Sequence, residues 1–416
     1  MRYGLLGEHL GHSFSKEIHG LLGDYSYDLI EVLQEGLDDF LRAKDFAGLN
    51  VTIPYKERVI PYLDFIDGAA KEIGAVNTIV NRGGKLYGYN TDFYGLEMLF
   101  AHAKIDPEGK TVAILGTGGT SKTAFAVLKQ LSAGEIFKVS RSGSDGAMTY
   151  EELYSVADKV DIIINTTPAG MYPDIDGCAV DLSKFKNLSG VIDAVYNPLR
   201  TSLIIEAKKR NIRAEGGLYM LVAQAARAAE LFFGERIGPI KIEKVYRRIL
   251  RDKENIVLIG MPASGKTTVG RLLEKKLHRK AYDSDKLIEK TEKRSIPDIF
   301  REDGEATFRR MEAEMIRELS GKSGIIIATG GGAILRAESL DNLKKNGRLY
   351  FIDRPLGQLM PTKSRPLANS AEAIERRYNE RYGIYSAAAD VRIDAKGSAP
   401  MTADKIVDDL YARRRY

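Results

Sequence analysis

One cysteine, Cys178, is all that 416 residues contain, so no disulfide can form within the chain. That suits a reducing compartment. Cys178 has no His/Cys cluster to make a metal site with, and reads as a small loop or core residue. Long apolar runs are missing too. No stretch approaches the ~18 consecutive apolar residues of a membrane span, and the apolar part of MRYGLLGEHLGHSFSK is too short for a secretory h-region. The expectation is a cytoplasmic protein without membrane contact. Charge of one sign is scarce: 62 Lys+Arg scattered among 57 Asp+Glu leave only +5. That balance gives nucleic acid no basic patch to grip. Repeats and low-complexity segments are absent. What remains is an ordinary folded composition, 44% hydrophobic and 29% charged. The length suits roughly three domains.

Short apolar runs alternate with amphipathic stretches, which predicts α/β architecture with mostly parallel sheets. Strand-like runs are Tyr3–Leu6, Leu49–Ile53, Thr111–Leu115, Ile136–Val139, Asp161–Asn165 and Val191–Ala194. A second series is Ile256–Ile259, Ile325–Ala328 and Leu349–Ile352. Three runs end in glycine clusters, at Gly116–Gly119, Gly260–Gly265 and Gly330–Gly332. Ligands of open α/β sheets bind at such carboxyl ends. The expected organisation is an α/β unit over 1–104, completed by helices in about 217–250, and a Rossmann domain over 105–216. A charged helix over 240–253, with Ile242, Val245 and Ile249 at helical spacing, would lead into a P-loop domain over 254–416.

Gly260-x-x-x-x-Gly265-Lys266-Thr267 follows the run NIVLI and opens a helix predicted over 266–277, the context a Walker A loop requires. Its glycines let backbone N–H groups face phosphate, and the helix adds its positive end. In this reading Pro262, Ala263, Ser264, Gly265, Lys266, Thr267 and Thr268 form the nucleotide cradle. Lys266 would bridge the β- and γ-phosphates and Thr267 would hold Mg²⁺. No guanine-recognition Asn-Lys-x-Asp follows. Instead Asp283-Ser284-Asp285 ends a short second strand, and alternation would put both carboxylates on one face.

Upstream, Gly116-Thr117-Gly118-Gly119-Thr120-Ser121 follows TVAIL and opens a helix expected over 121–131. This is a Rossmann-like phosphate turn, though without the full Gly-x-Gly-x-x-Gly spacing. The next run, IFKVS, ends in Ser140-Arg141-Ser142, where an NAD enzyme would place an acid for the ribose diol. Arginine with flanking hydroxyls suits the 2′-phosphate of NADP. The first hundred residues gather polar groups at strand ends: Ser13 and Ser15, Asn50 and Thr52 on one strand face, then Lys56, Asn77 and Asp92. That clustering predicts a cleft for a polyhydroxyl ligand.

The order GMPASGKTTVGRLLEKKL, YDSDKLIE, SIPDIFREDGEATFRRME, IIATGGGAI and SRPL resembles shikimate kinase across 254–416. The resemblance implies that Asp283 helps hold Mg²⁺, while Asp285 binds a shikimate hydroxyl and orients it as base. It implies that Arg309 and Arg381 clamp the substrate carboxylate, with Gly330, Gly331 and Gly332 letting backbone approach the ring. Arg365 would reach from the lid to the ATP phosphates. Pro262-Ala263 stands where the family commonly has Met-Gly, and the lid Met360–Arg365 is short.

Residues 1–250 resemble shikimate dehydrogenase through LGHSFS, GLNVTIPYK, GAVNT, GYNTD, INTTPAGM, DAVYNPLRT and GLYMLVAQAA. This implies substrate contacts from Ser13, Ser15, Asn50, Thr52, Asn77, Tyr196 and Gln224, and a catalytic pair of Lys56 and Asp92. Gly116, Thr117, Gly118, Gly119, Ser140, Arg141, Ser142, Thr166, Val195 and Gly217 would contact NADP(H). Together the resemblances imply NADPH-dependent reduction of 3-dehydroshikimate to shikimate, then phosphorylation by ATP and Mg²⁺. Partners are small molecules, with no nucleic acid. Two alternatives stand beside this reading. One is a quinate/shikimate dehydrogenase using NAD, fused to a kinase for another polyol. The other is a regulator that reuses both folds to sense metabolites.

Overall fold

The computed structural model describes residues 2–11, 13–144, 146–360 and 370–412. The chain divides into two compact units, Met1–Ile249 and Leu250–Tyr416.

The first unit holds two sheets. One contains β1 (Tyr3–Gly7), β2 (Tyr27–Glu31), β3 (Gly48–Val51), β4 (Phe65–Ile66), β5 (Thr78–Arg82) and β6 (Lys85–Tyr89), in the order β2-β1-β3-β5-β6-β4. β1 runs parallel to β2 and β3, whereas β5 runs antiparallel to β3 and β6. All four residues of β3 are buried, and Leu6, Leu49, Val51, Ile79 and Leu86 form its core with Tyr55. The helix Leu218–Phe233 lies along the helix Thr91–Ala103 and also packs on Ser15–Leu22. Gly95 permits that close approach, because a Cβ there would sit 2.7 Å from Met220 O.

The other sheet contains β7 (Val112–Leu115), β8 (Ile136–Val139), β9 (Ile162–Asn165), β10 (Gly190–Asp193) and β11 (Arg213–Glu215). Every pairing is parallel, in the order β11-β10-β9-β7-β8. Its winding reverses between β7 and β9, the switch point at which such sheets bind ligands. β7, β9 and β10 are wholly buried, as expected of strands covered on both faces. The helix Pro239–Lys253 buries Ile242, Val245, Tyr246 and Ile249 along one stripe.

The second unit is a parallel sheet of β12 (Asn255–Ile259), β13 (Ala281–Asp283), β14 (Ile326–Ala328), β15 (Gly347–Asp353) and β16 (Val391–Asp394). The order is β13-β14-β12-β15-β16, with the all-buried β12 at the centre. Among the described residues no helix is long and apolar enough to cross a membrane.

Several expectations need correcting. β2, β4, β5, β6 and β11 were not visible as apolar runs, because sequences such as TIVNR, KLYGY and RAE are short and half polar. The β5–β6 connection did carry a signal: Gly83 and Gly84 both have positive φ, +60° and +84°, which a two-residue hairpin turn demands. The third strand ends at Val51, leaving Ile53 exposed beyond it. Asp283 and Asp285 do not share an extended face. Asp283 ends β13 and caps the helix Ser284–Glu292, its Oδ1 accepting from Lys286 N at 3.2 Å, while Asp285 lies in that helix's first turn. The cap stops the alternation after one residue.

Candidate functional site

In the first unit Lys56 Nζ donates to Asp92 Oδ2 at 2.6 Å, and the two side chains are only 18% and 11% exposed. Lys56 lies in the loop after β3, whose backbone is held by Val76 N donating to Lys56 O at 2.8 Å. Asp92 sits in the first turn of the helix Thr91–Ala103, capped by Asn90, whose Oδ1 accepts from Phe93 N. Around this pair runs a buried polar network. Asn77 Oδ1 accepts from Thr91 N at 2.6 Å and from Thr91 Oγ1 at 3.2 Å. Gln224 Oε1 accepts from Asn77 Nδ2 at 3.4 Å and Thr91 Oγ1 at 3.2 Å. Thr91, the letter before Asp92 in GYNTD, was missed by sequence reasoning.

Asn50 is 4% exposed and its amide is engaged within the sheet. Its Oδ1 accepts from Tyr27 O–H at 2.8 Å and its Nδ2 donates to Thr78 Oγ1 at 3.1 Å. Tyr27 in turn stacks on His19, with ring centroids 3.8 Å apart. Thr52 is half-buried beyond the strand end, next to Gly7. Ser13 Oγ donates to Ser15 Oγ at 3.1 Å. Tyr196, from the turn after β10, meets Phe14 edge-on at 5.3 Å and hydrogen-bonds Ser13. Burial raises the Tyr196 phenol above its ordinary range, with the Ser13 bond opposing. Ser13, Ser15 and Tyr196 thus form one hydroxyl cluster, while Lys56, Asn77, Asp92 and Gln224 form a second.

The glycine turn lies at the switch point. Gly116 adopts φ +107°, and a Cβ there would sit 2.9 Å from Thr166 Oγ1. No other residue fits both conditions. The helix Gly119–Gln130 opens two residues earlier than expected, with Gly118 at its cap and Thr117 exposed before it. Thr166 Oγ1 donates to Leu115 O at 2.6 Å. Val195 N donates to Asp193 Oδ1 at 3.0 Å, and Gly217 N to Val195 O at 2.9 Å. A Cβ on Gly217 would strike Ala194 O. Ser140 Oγ accepts from Gly143 N at 3.0 Å, Ser142 pairs with Ser144, and Arg141 is exposed beside them. This donor set, an open helix N-terminus with an exposed guanidinium beyond the second strand, fits a dinucleotide bearing an extra phosphate.

In the second unit Gly260, Ala263 and Gly265 all have positive φ, +143°, +64° and +94°, which curls the loop around its own centre. The helix Lys266–Leu277 follows as expected. Lys266 Nζ donates to Gly260 O and Met261 O, each at 2.8 Å. Pro262 and Ser264 are buried, whereas Thr268 is exposed. Thr267 Oγ1 donates to Asp283 Oδ2 at 2.5 Å. A hydroxyl and a carboxylate are the hard oxygen donors Mg²⁺ takes, usually with phosphates and waters completing its shell. The described residues contain no cluster of three or more His, Cys, Asp or Glu that would hold a metal alone.

The triple glycine faces a charged pocket. A Cβ on Gly330 would collide with both Asp285 and Glu312 carboxylates, and one on Gly332 with the Arg309 guanidinium. At Gly331 it would lie 2.9 Å from Pro262 Cγ. Arg381 Nη1 donates to Gly331 O at 3.1 Å, and Tyr385 O–H donates to the same carbonyl. Asp285, Arg309 and Arg381 are therefore brought together as the resemblance implied. Glu312, buried and 2.7 Å from Arg309 Nη1, belongs with them and was missed, although it ends FRRME. Burial raises its carboxyl, with Arg309 opposing, and its Oε1 has no hydrogen-bond partner among the described residues. Arg354 was missed as well: its Nε donates to Ser264 O at 3.2 Å. Arg365 lies outside the described residues, as does most of the lid after Met360.

A dinucleotide-type turn and a buried Lys–Asp pair define the first unit as an oxidoreductase, and the phosphate loop with its acceptor pocket defines the second as a P-loop kinase. Comparisons with known proteins agree. Residues 5–79 match the shikimate dehydrogenase substrate binding domain, and residues 262–411 match shikimate kinase. A shikimate dehydrogenase (NADP(+)) of Clostridium perfringens is 38% identical over 265 residues, which is 59% of this chain and 97% of that protein. One from Halothermothrix orenii is 42% identical over 261 residues, 56% of this chain and 90% of that protein. Among solved structures, the Thermus thermophilus shikimate 5-dehydrogenase in complex with NADP(H) and shikimate has a TM-score of 0.55 at 28% identity, covering 60% of this chain and 99% of that one. Quinate dehydrogenase of Corynebacterium glutamicum in complex with NAD has a TM-score of 0.54 at 26% identity, covering 60% of this chain and 98% of that one. The chain belongs to the shikimate dehydrogenase family and carries a shikimate kinase domain behind it.

Proposed function

We propose that the chain performs two consecutive reactions, reducing 3-dehydroshikimate to shikimate with NADPH and then phosphorylating shikimate with ATP and Mg²⁺. The observation that carries the reading is the Lys56–Asp92 pair, 2.6 Å apart beside buried amide and hydroxyl groups suited to a polyol. The reduced nicotinamide supplies the hydride when bound. Lys56 is placed to stabilise charge on the carbonyl oxygen and to give that oxygen a proton from Nζ. Asp92 fixes the direction of the ammonium. Ser13, Ser15 and Tyr196 orient the ligand from the opposite cluster, with Asn77 and Gln224. Asn50, its amide engaged by Tyr27 and Thr78, acts more through shaping the sheet edge. Arg141 meets the 2′-phosphate of NADP.

In the kinase unit Arg309 and Arg381 receive the carboxylate, a planar match for guanidinium. Asp285 orients the attacking hydroxyl, and Lys266 exchanges its loop carbonyls for phosphate oxygens. Thr267 and Asp283 would hold Mg²⁺, which neutralises charge on the transferring group. One assay tests both halves. Dehydroshikimate, NADPH and ATP-Mg²⁺ should give NADPH loss together with ADP. ADP release that does not depend on shikimate would remove the kinase assignment. Faster turnover with quinate and NAD⁺ than with shikimate and NADP⁺ would transfer the first unit to quinate oxidation, the reaction class of the NAD-bound neighbour.

A further inference from the structure

Asp193 is the last residue of β10 and is fully buried, yet the mechanism makes no direct use of it. In the parallel register it lies beside Asn165, the last residue of β9 and equally buried. The two side chains are joined: Asn165 Nδ2 donates to Asp193 Oδ1 at 3.0 Å. From that junction each residue shapes its own turn. Asn165 Oδ1 accepts from Thr167 N at 3.0 Å and Thr167 Oγ1 at 2.7 Å, which folds the backbone just after Thr166. Asp193 Oδ1 also accepts from Val195 N at 3.0 Å, and its Oδ2 accepts from Thr201 Oγ1 at 2.6 Å. These bonds fix both ends of the segment that presents Val195 and Tyr196. One turn thus carries a residue read as a cofactor contact. The other carries a cofactor contact followed directly by a substrate contact.

A carboxyl group suits this position. Its partners are an amide N–H, a backbone N–H and a hydroxyl, all donors, so both oxygens must accept. An uncompensated buried charge is unfavourable, and burial does raise this carboxyl, to about 7, against the three hydrogen bonds. A carboxyl kept at that cost, joined by hydrogen bonds to two turns that carry binding residues, does more than fill the core.

We infer that Asp193 is a positioning residue of the dehydrogenase site, tying the turn of Thr166 to the turn of Val195 and Tyr196 so that the dinucleotide and acid subsites are held in one register. The inference rests on the dehydrogenase reading proposed above. Asp193→Ala frees three donors and unties both turns. Asp193→Asn keeps the oxygen shared by Asn165 and Val195, and its amide faces a Thr201 hydroxyl that can rotate to accept.

The test uses the full chain, with steady-state reduction of dehydroshikimate and titration of NADPH by its own fluorescence. Asp193→Ala should raise KM for dehydroshikimate and the Kd for NADPH each by about tenfold, the scale for losing a group that orients a binding residue, while kcat falls less than about threefold. Asp193→Asn should recover most of both. If Asp193→Ala does not fold, Thr201→Val removes the hydroxyl that donates to Asp193 and also caps the helix Ser202–Lys209, and should raise the dehydroshikimate KM by about threefold. Unchanged KM and Kd in a folded variant overturn the inference, as does an Asn variant as impaired as Ala. A wild-type chain that fails to reduce dehydroshikimate would instead defeat the proposed function. The NADPH titration would still decide the role of Asp193 in the cofactor turn.

Discussion

Lys56 and Asp92 meet at 2.6 Å across 36 residues of sequence, one from the loop after β3 and the other from a helix N-terminus. Lys56→Met keeps the aliphatic stem but removes the proton and charge. Turnover with dehydroshikimate should fall by about 10²–10⁴-fold, the usual worth of a positioned general acid, with KM changed far less. A variant retaining near wild-type kcat would show that another group protonates the product.

Asp283 serves two masters, since Oδ1 caps a helix while Oδ2 receives the Thr267 hydroxyl. Asp283→Asn can keep the cap oxygen and surrender the charge. Kinase activity should then need about 10–100-fold more Mg²⁺ for half-maximal rate, with the unfolding midpoint little moved. A Mg²⁺ titration of ADP release checks this. An unaltered Mg²⁺ requirement would place the metal elsewhere.

Gly332 touches the Arg309 guanidinium closely enough that a methyl group has no room. Gly332→Ala should displace Arg309 from Glu312 and raise the shikimate KM of the kinase by about tenfold or more, since a lost charged hydrogen bond is worth about 1.5–3 kcal/mol. KM for ATP should stay within about twofold in the same titration.

Ala263 holds φ +64° in the phosphate loop, a conformation that strains an L-residue by roughly 1–2 kcal/mol. Glycine removes the strain but widens the unfolded ensemble, which offsets about 0.4–1 kcal/mol. Ala263→Gly should therefore stabilise the kinase unit by about 0.5–1 kcal/mol in urea unfolding. A destabilised variant would mean that the alanine methyl packs to advantage.

His19 is fully buried, and burial lowers its imidazole from 6.5 to about 3, with Asn50 opposing. The native state keeps the ring neutral, whereas the unfolded chain takes up a proton below about 6.5. The stability this contributes is present above the unfolded value and lost as pH falls from 6.5 towards 3. The slope reaches about 1.4 kcal/mol per pH unit. Asp193, raised to about 7, works in the opposite sense and loses stability as pH rises from 4 to 7. His19→Gln should flatten the acid limb of a stability–pH curve by up to one proton. An identical limb would mean that the ring titrates normally.

Where the sequence was legible, one physical rule dominated locally. The loop Gly260–Thr267 and the helix behind it need glycine conformations and a fixed lysine, so their letters betray them. The buried parallel strands β7, β9, β10 and β12 read as near-continuous apolar runs because both faces are covered. Legibility failed where tertiary partners decide. Nothing in SDKLIE says that Asp283 caps a helix rather than prolonging a strand; both states tolerate Asp, and the cap is settled by where β13 ends. Glu312 looked like one of several helix-surface acids until the fold brought Gly330 and Arg309 against it. Asn50 and Thr52 alternate as a strand should, but only the placement of Tyr27 and Thr78 shows that the Asn50 amide is spoken for.

The crossing of two helices at Gly95 carries one more consequence. Asp92 lies three residues before that glycine, and Gln224 lies four residues beyond Met220, whose carbonyl the glycine faces. The approach of the helix carrying Asp92 to the helix carrying Gln224 is therefore gauged by a single missing methyl group, which would stand 3.0 Å from Gln224 Cβ. An alanine there would push the two helices apart and move Asp92 and Gln224 without changing either polar side chain. The spacing of these two helices is thus set at its tightest position by one glycine.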